Sequence, residues 1–362
     1  MKGIEVYDIG KWRFREDLEV PEPQKGEARI KVLAAGICGT DIHINNGDPS
    51  LTHLLRIPFI LGHEFCGLVD RLGPETEGPE TGTYVSAEMH EWCGDCPACL
   101  SGAFHACQNT KIHGLNLDGC FAEYVVVPVR NLVLLPKDLP VKAGAILDPL
   151  GNAVHTALKV PPKDKNVAVI GYGPIGAMSV EVLLFEGAKN IWITDVNPKA
   201  LERARSWVQK KGCQDRVRVL STAGTEREKT IQSILEDSQG GVDVVLEISG
   251  HPNGINDGLK IVRAAGDYVQ LGLPSGEVTI HDFGPNIVFK GIRIHAIIGR
   301  EVFATWEKML ELHQRGFDIA GMVTGEYPIE EFGTALNRFI EGEEQKVVLR
   351  MSGTEERDSK KG

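Results

Sequence analysis

Four closely spaced cysteines are the first residues whose types suggest chemistry. They form the pattern C-x2-C-x2-C-x7-C at Cys93, Cys96, Cys99 and Cys107. Four thiolates fill the coordination sphere of one tetrahedral zinc ion, at roughly 2.3 Å each, and leave no place for water or substrate. The spacing therefore predicts a structural zinc that orders this lobe. An iron–sulfur cluster and a disulfide staple are the alternatives, the latter disfavoured in a cytosolic protein.

A second group of metal-binding side chains has a different composition. Cys38 in "GICGTDIHINN" and His63-Glu64 in "ILGHEFCG" supply a thiolate, an imidazole and a carboxylate. Three protein ligands leave one tetrahedral position open, as a catalytic zinc requires. The fourth group is Asp148 in "LDPLGNAVHT", or a water that Asp148 holds. Taken singly, Cys38 is better explained as a small buried apolar side chain and His63 as a hydrogen-bonded core histidine. In combination they favour a metal centre, because each lies in a glycine-rich turn beside other polar groups.

A glycine-rich turn predicts a nucleotide site. Gly171, Gly173 and Gly176 form G-x-G-x-x-G between an apolar run and a helix-forming segment. Such glycines permit a tight turn, close approach of a pyrophosphate and close helix packing. Asp195 ends the next apolar run, where its carboxylate can bind ribose hydroxyls and repel a 2′-phosphate, so we expect NAD rather than NADP. Lys199 packs on the adenosine or belongs to a solvated helix face.

The elements that must position these residues change in character along the chain. Up to about residue 135, short runs rich in Val, Ile and aromatic residues are broken by Gly and Pro, which is typical of an irregular antiparallel β domain. After residue 150, six nearly continuous apolar runs alternate with helix-forming segments, a pattern that predicts a doubly wound parallel sheet. We therefore predict an α/β protein with domains over residues 1–150 and 151–299. Residues 300–351 are expected to return to the first domain, and 352–362 to form a charged, disordered tail.

Overall charge limits the possible partners. The 362-residue chain has 39 Lys plus Arg against 50 Asp plus Glu, a formal charge of −11. This balance disfavours a nucleic-acid binder and favours a small polar substrate. No stretch has the length of apolar sequence expected of a membrane span or secretion signal, so we expect a cytoplasmic protein without membrane contact.

Together, these motifs resemble the zinc-dependent medium-chain dehydrogenase family over residues 1–351. The resemblance is carried by "AGICGTDIHI", "GHEFCG", "CGDCPACLSGAFHAC", "GCFAEYVVVP", "DPLGNAVHTAL", "GYGPIG", "ITDVN" and "IGREVFATWEKM". It implies a GroES-like β-rich catalytic domain, a Rossmann NAD-binding domain and a homotetramer. It also implies two zinc ions per chain, one catalytic and one structural.

The resemblance also assigns roles to residues. Cys38, His63 and Glu64 would bind the catalytic zinc, Thr40 and His43 would carry the substrate proton to solvent, and His90 would face the substrate. Asp148 occupies a position where relatives often have Glu. We further expect the cofactor to contact Pro174, Ile175, Leu271, Leu273 and Ile298.

The reaction expected from this resemblance is oxidation of a secondary hydroxyl, activated by zinc, with hydride transfer to NAD. Within the family, "HINN", "DPLGNAVHT" and "IGREVFATW" favour an amino-alcohol substrate, L-threonine, which would yield 2-amino-3-oxobutanoate. A polyol such as sorbitol or inositol is the alternative substrate class. A protein that binds NAD and zinc without turnover is the alternative from another class.

Overall fold

The chain folds into two compact units. A computed structural model describes residues 1–351, so the predicted tail, 352–362, lies outside the described residues. One unit contains Met1–Gly151 and the chain from Arg300 onward, and the other contains Asn152–Gly299. Over the described chain, no helix combines the length and apolar character needed to cross a membrane.

The first unit begins with a mainly antiparallel β region. Its strands are β1 Gly3–Asp8, β2 Lys11–Arg15, β3 Glu27–Gly36, β4 Phe59–Ile60, β5 Phe65–Leu72, β6 Tyr84–Ala87, β7 His90–Glu91, β8 Lys111–Ile112, β9 Tyr124–Pro128 and β10 Leu132–Leu134. Its helices are α1 Gly39–Asn45, α2 Pro49–Thr52, α3 Pro97–Leu100, α4 Val141–Gly144 and α5 Leu147–Leu158, the last of which continues into the second unit.

The second unit is a parallel sheet with intervening helices. Its strands are β11 Asn166–Ile170, β12 Asn190–Asp195, β13 Val217–Ser221, β14 Val242–Glu247, β15 Val262–Gln270 and β16 Arg293–Ala296. Its helices are α6 Pro174–Phe185, α7 Pro198–Lys211, α8 Arg227–Asp237 and α9 Pro252–Ile261. Strand order is β13-β12-β11-β14-β15-β16, with every neighbouring pair parallel. This is the doubly wound order, 3-2-1-4-5-6, whose carboxyl edge binds dinucleotides.

The chain after Arg300 completes the sheet of the first unit. It forms α10 Ala304–Gln314, β17 Gly325–Pro328, α11 Phe332–Ile340 and β18 Val347–Arg350. Strand β18 pairs antiparallel with β3, and β17 pairs parallel with β18. The apolar face of α11 enters the same core, where the Phe332 ring lies 5.5 Å from that of Phe121. Long-range strand pairing thus fixes the carboxyl-terminal segment against β3, the strand that leads to Cys38.

Candidate active site and metal centres

The four-cysteine lobe has the geometry of a metal site. One sulfur atom from each of Cys93, Cys96, Cys99 and Cys107 lies within 4.8 Å of the others. Their closest approach, 3.5 Å between Cys107 and Cys93, is far longer than a disulfide bond, and none of the four forms a disulfide. Hydrogen bonds from backbone N–H groups, first that of Cys99, lower the pKa of Cys96 to about 6, whereas burial raises the pKa of Cys99. These thiols suit a soft tetrahedral cation.

A second cluster contains the predicted open centre. Cys38 lies at the start of α1, and His63 and Glu64 occupy the connection between β4 and β5. Gly62 has φ +95°, and a Cβ there would lie 2.2 Å from the Phe121 ring, so only glycine permits the turn that delivers His63. Ligand atoms of all three residues lie within 4.8 Å of one another.

The electrostatics of this cluster favour a cation. Nδ1 of His63 and Oε1 of Glu64 are buried without a hydrogen-bond partner. Burial alone would lower the pKa of His63, but the Cys38 thiolate and the Asp41 and Asp148 carboxylates raise it to about 10. A site that attracts a proton so strongly also attracts a metal ion. The donors present therefore fit zinc, with its preference for sulfur, nitrogen and oxygen ligands.

Asp41 and Lys346 surround this centre. The Cys38 backbone N–H donates to Oδ2 of Asp41 at 2.8 Å, which fixes the turn before α1. Lys346 donates to Oε2 of Glu64 and, at 2.7 Å, to the Ile37 carbonyl oxygen. Burial raises the pKa of Asp41 to about 6.

Asp148 belongs to a separate polar network built around Arg300. The Arg300 guanidinium donates to Oδ1 of Asp148 at 2.8 Å and to Oε2 of Glu88 at 2.9 Å. Its Nη2 lies 3.0 Å from Nδ1 of His90, and Trp306 Nε1 donates to Glu88 at 3.0 Å. Although Glu88, His90 and Asp148 have metal-compatible spacing, the guanidinium already occupies both oxygens of Glu88 and Oδ1 of Asp148, so this network is a poor cation site. Oδ2 of Asp148 remains buried and without a partner.

Thr40 and His43 are placed on α1 by the short turn after Cys38. The Thr40 hydroxyl lies 3.8 Å from the Cys38 sulfur atom. His43 is solvent-exposed, and its Nδ1 lies 2.8 Å from Oδ2 of Asp48. Helix α1 thus carries one polar group near the centre and another in contact with water.

The glycine turn has the geometry that a pyrophosphate needs. Gly171 follows β11 with φ +97°, and Gly173 caps α6. A Cβ at Gly176 would lie 2.1 Å from the Gly171 carbonyl oxygen, whereas a Cβ at Gly173 would meet no atom within 4 Å. Gly176 is therefore required for packing, and Gly173 leaves open space at the amino terminus of α6, where the helix dipole and the free N–H groups attract anions.

The other predicted cofactor residues lie in the same unit. Asp195 ends β12, and its two oxygens accept backbone hydrogen bonds from Tyr172 at 2.7 Å and Asn197 at 2.8 Å. The remaining predicted residues lie in the first turns of α6 and α7 and after β15 and β16: Pro174, Ile175, Lys199, Leu271, Leu273 and Ile298. Leu273 is 92% and Ile298 61% exposed, which leaves both side chains free to contact a ligand.

Four buried polar residues of these sites had no role in the sequence prediction: Asp41, Glu88, Arg300 and Lys346. Glu88 and His90 form an E-x-H pattern, and Lys346 immediately precedes the apolar run of β18. A lone charged residue at the start of a buried strand is a usable signal, because such a charge needs a partner.

Family comparisons agree with the fold and the sites. The sequence model described as "Alcohol dehydrogenase GroES-like domain" matches residues 24–137, and that described as "Zinc-binding dehydrogenase" matches 174–315. A GroES-like unit with two candidate zinc centres and a doubly wound nucleotide-binding unit define the class of zinc-dependent dehydrogenases. The chain belongs to the zinc-dependent medium-chain alcohol dehydrogenase family, so the predicted fold class, enzyme class and zinc cofactor are confirmed.

Relatives match over nearly the whole chain. L-threonine 3-dehydrogenase from Bacillus subtilis is 39% identical over 96% of this chain and 98% of its own. L-threonine 3-dehydrogenase from Shewanella frigidimarina is 40% identical over 92% and 95%, respectively. Among solved structures, 2R,3R-butanediol dehydrogenase from Bacillus subtilis superposes with a TM-score of 0.84 at 25% identity, covering 96% of this chain and 99% of that one.

Proposed function

We propose that this enzyme oxidises the secondary hydroxyl of L-threonine, yielding 2-amino-3-oxobutanoate, NADH and a proton from threonine and NAD. The observation that carries the proposal is the full-length similarity to several L-threonine 3-dehydrogenases, at 37–40% identity. The open Cys38-His63-Glu64 centre supplies the site for the chemistry. The polyol alternative has no comparable support.

Two zinc ions would have distinct roles. Cys38, His63 and Glu64 would hold one of them, which when bound lowers the pKa of a coordinated hydroxyl and so supplies acidity. Asp148 would contribute through Oδ2, either directly or by holding a water, because Arg300 holds its Oδ1 while Oδ2 has no hydrogen-bond partner. The cysteine lobe would hold the other ion in a closed, structural site.

The residues around the centre would move the proton and orient the substrate. Thr40 would accept the substrate hydroxyl proton while its own proton passes on toward His43, and His43 would release a proton to water, with Asp48 holding the Nδ1 side of the ring. His90 has its Nδ1 edge held by Glu88 at 2.7 Å, which leaves Nε2 to face the substrate.

NAD is the cofactor we propose. It supplies the hydride acceptor when bound, and the open space at Gly173 would admit its pyrophosphate. Asp195 retains lone pairs for the ribose hydroxyls, and its negative charge would repel the 2′-phosphate of NADP.

We also propose a cytoplasmic homotetramer. The second unit exposes large apolar side chains before and on edge strand β16, including Phe289 at 85% and Ile294 at 53% exposure. An exposed apolar edge of this kind is typical of a covered interface. Light scattering on the purified protein tests the mass, and a monomer at micromolar concentration would contradict the tetramer.

A substrate panel tests the reaction. NADH formation would be measured with L-threonine, D-threonine, sorbitol and inositol on zinc-loaded enzyme. We expect turnover with L-threonine to exceed that with either polyol by at least about tenfold in kcat/KM, about 1.4 kcal/mol of transition-state discrimination. Faster turnover of a polyol would overturn the substrate proposal but leave the enzyme class intact.

A further inference from the structure

Lys346 is a buried cation to which the proposed reaction gives no role. It lies immediately before β18 and is only 2% exposed. Its ammonium donates to the Ile37 carbonyl oxygen at 2.7 Å and to Oε2 of Glu64. A buried charge is costly unless it is fully paired, so this arrangement needs a physical reason.

The two partners of Lys346 lie on the two segments that supply the metal ligands. Ile37 directly precedes Cys38, and Glu64 directly follows His63. These segments are separated in sequence and are brought together by the strands on either side of them. One ammonium group therefore joins both segments at the centre.

The contact also distinguishes the two oxygens of Glu64. Oε2 accepts from Lys346, whereas Oε1 is buried and has no hydrogen-bond partner. A carboxylate held in this way presents one defined oxygen to a metal ion. Without the ammonium, the side chain could rotate or bind through both oxygens.

We propose that Lys346 is a positioning residue for the catalytic metal: it holds Oε2 of Glu64, directs Oε1 to the ion, and ties the Cys38 segment to the His63-Glu64 segment. Two effects oppose each other, because an ammonium group also repels a cation. That repulsion is largely cancelled by the paired Glu64 charge, whereas loss of an outer partner typically costs about 10–100-fold in metal affinity. The positioning effect is therefore the larger.

The test compares Lys346→Met, Lys346→Arg and Arg350→Met in the full-length protein. Arg350 is the matched control, since it ends the strand that Lys346 precedes and pairs with Glu326 at 2.6 Å in a partly exposed site. Each protein would be loaded with zinc and dialysed against a competing chelator, and the zinc bound per chain would be measured. Cobalt would be the second probe, because its visible spectrum reports the ligand set.

We expect the control to retain both ions. Lys346→Met should keep the ion of the cysteine lobe and bind the other about 10–100-fold more weakly, while Lys346→Arg should recover part of the loss. Unchanged or tighter binding of the second ion in Lys346→Met would overturn the proposal. So would equal loss of both ions with a lower Tm, which would indicate a general folding role. If Lys346→Met does not fold, Lys346→Gln, which keeps a donor without the charge, is judged by the same criteria.

Discussion

Two side-chain atoms at the open centre, Nδ1 of His63 and Oε1 of Glu64, are buried without partners. Each unsatisfied buried polar atom costs about 1–3 kcal/mol. Unpartnered polar atoms of this kind, in residues clustered with the Cys38 sulfur atom, fit the proposal that these three residues hold a zinc ion. In that proposal the energetic cost supports function rather than stability.

Cys38→Ser tests this centre directly. The hydroxyl is a poor zinc ligand, so we expect loss of one zinc ion per chain and at least about a hundredfold lower kcat, with unchanged NAD affinity. Zinc analysis, steady-state kinetics and NADH fluorescence titration measure the three quantities.

Cys213→Ser is the matched control, because Cys213 is buried in the other unit and outside both clusters. It should retain both zinc ions and normal turnover. Equal loss of turnover and NAD affinity in Cys38→Ser would instead indicate a folding role for Cys38.

Asp195→Asn tests the choice of cofactor. The amide still accepts one of the two backbone hydrogen bonds now made to Tyr172 and Asn197, so the turn should persist. Loss of the negative charge should raise kcat/KM for NADP and lower it for NAD by about tenfold each. Kinetics with both nucleotides measure the ratio, and an unchanged preference would show that another residue sets it.

At the scale of elements, two glycines of the β11–α6 turn have different surroundings. The Gly171 carbonyl oxygen blocks the space that a Cβ at Gly176 would need, while the corresponding space at Gly173 is open. The same turn therefore contains one glycine needed for packing and another that we propose is needed for the ligand.

A matched pair of variants tests this separation. Gly173→Ala should leave Tm within about 1 °C and weaken NAD binding at least about tenfold, because the added methyl group occupies the approach of the pyrophosphate. Gly176→Ala should lower Tm by several degrees, since its Cβ meets a backbone atom. Thermal unfolding and NADH titration measure both effects, and a destabilised Gly173→Ala would contradict the assignment.

The edge pair β15–β16 gives the second unit a pH-dependent contact. Hydrogen bonds from Arg293, and then from His295, lower the pKa of Asp267 to about 2 from 3.8. Because the folded pKa lies below the ordinary value, the stabilisation is complete above about pH 4 and disappears as pH falls toward 2.

We expect Asp267→Asn to lower the unfolding free energy of this unit by about 1 kcal/mol at pH 7, allowing for solvent screening. The difference from the parent protein should narrow as pH is lowered from 4 to 3. Denaturant unfolding across that range measures it, and a difference independent of pH would mean that the side chain acts through packing alone.

At the scale of the whole molecule, metal ligation and nucleotide binding are assigned to different units. The two candidate zinc clusters belong to the unit of Met1–Gly151 and the chain from Arg300 onward, and the glycine turn and Asp195 belong to Asn152–Gly299. Chelation should therefore abolish turnover but leave NADH affinity within about twofold. Fluorescence titration before and after zinc removal measures this, and loss of NADH binding on chelation would show that the units are energetically coupled.

Local patterns in the sequence determined a large part of this protein. The spacing of Cys93 to Cys107, the G-x-G-x-x-G turn and the six apolar runs each act over short chain distances, where residue type restricts geometry directly. The parallel sheet and the cysteine cluster were predictable for this reason. The open centre was predictable only in combination, since Cys38 and His63 are unremarkable singly.

The tertiary structure alone decided which distant groups complete the sites. Lys346 meets Glu64 because β18 pairs with β3, and Arg300 meets Glu88 and Asp148 within one folded unit. No local pattern specifies these partners, because strand pairing between remote segments depends on the whole core. A charged residue beside an apolar run of the sequence indicates that a buried charge will need a partner. Only the packing of the folded chain selects which residue that partner is.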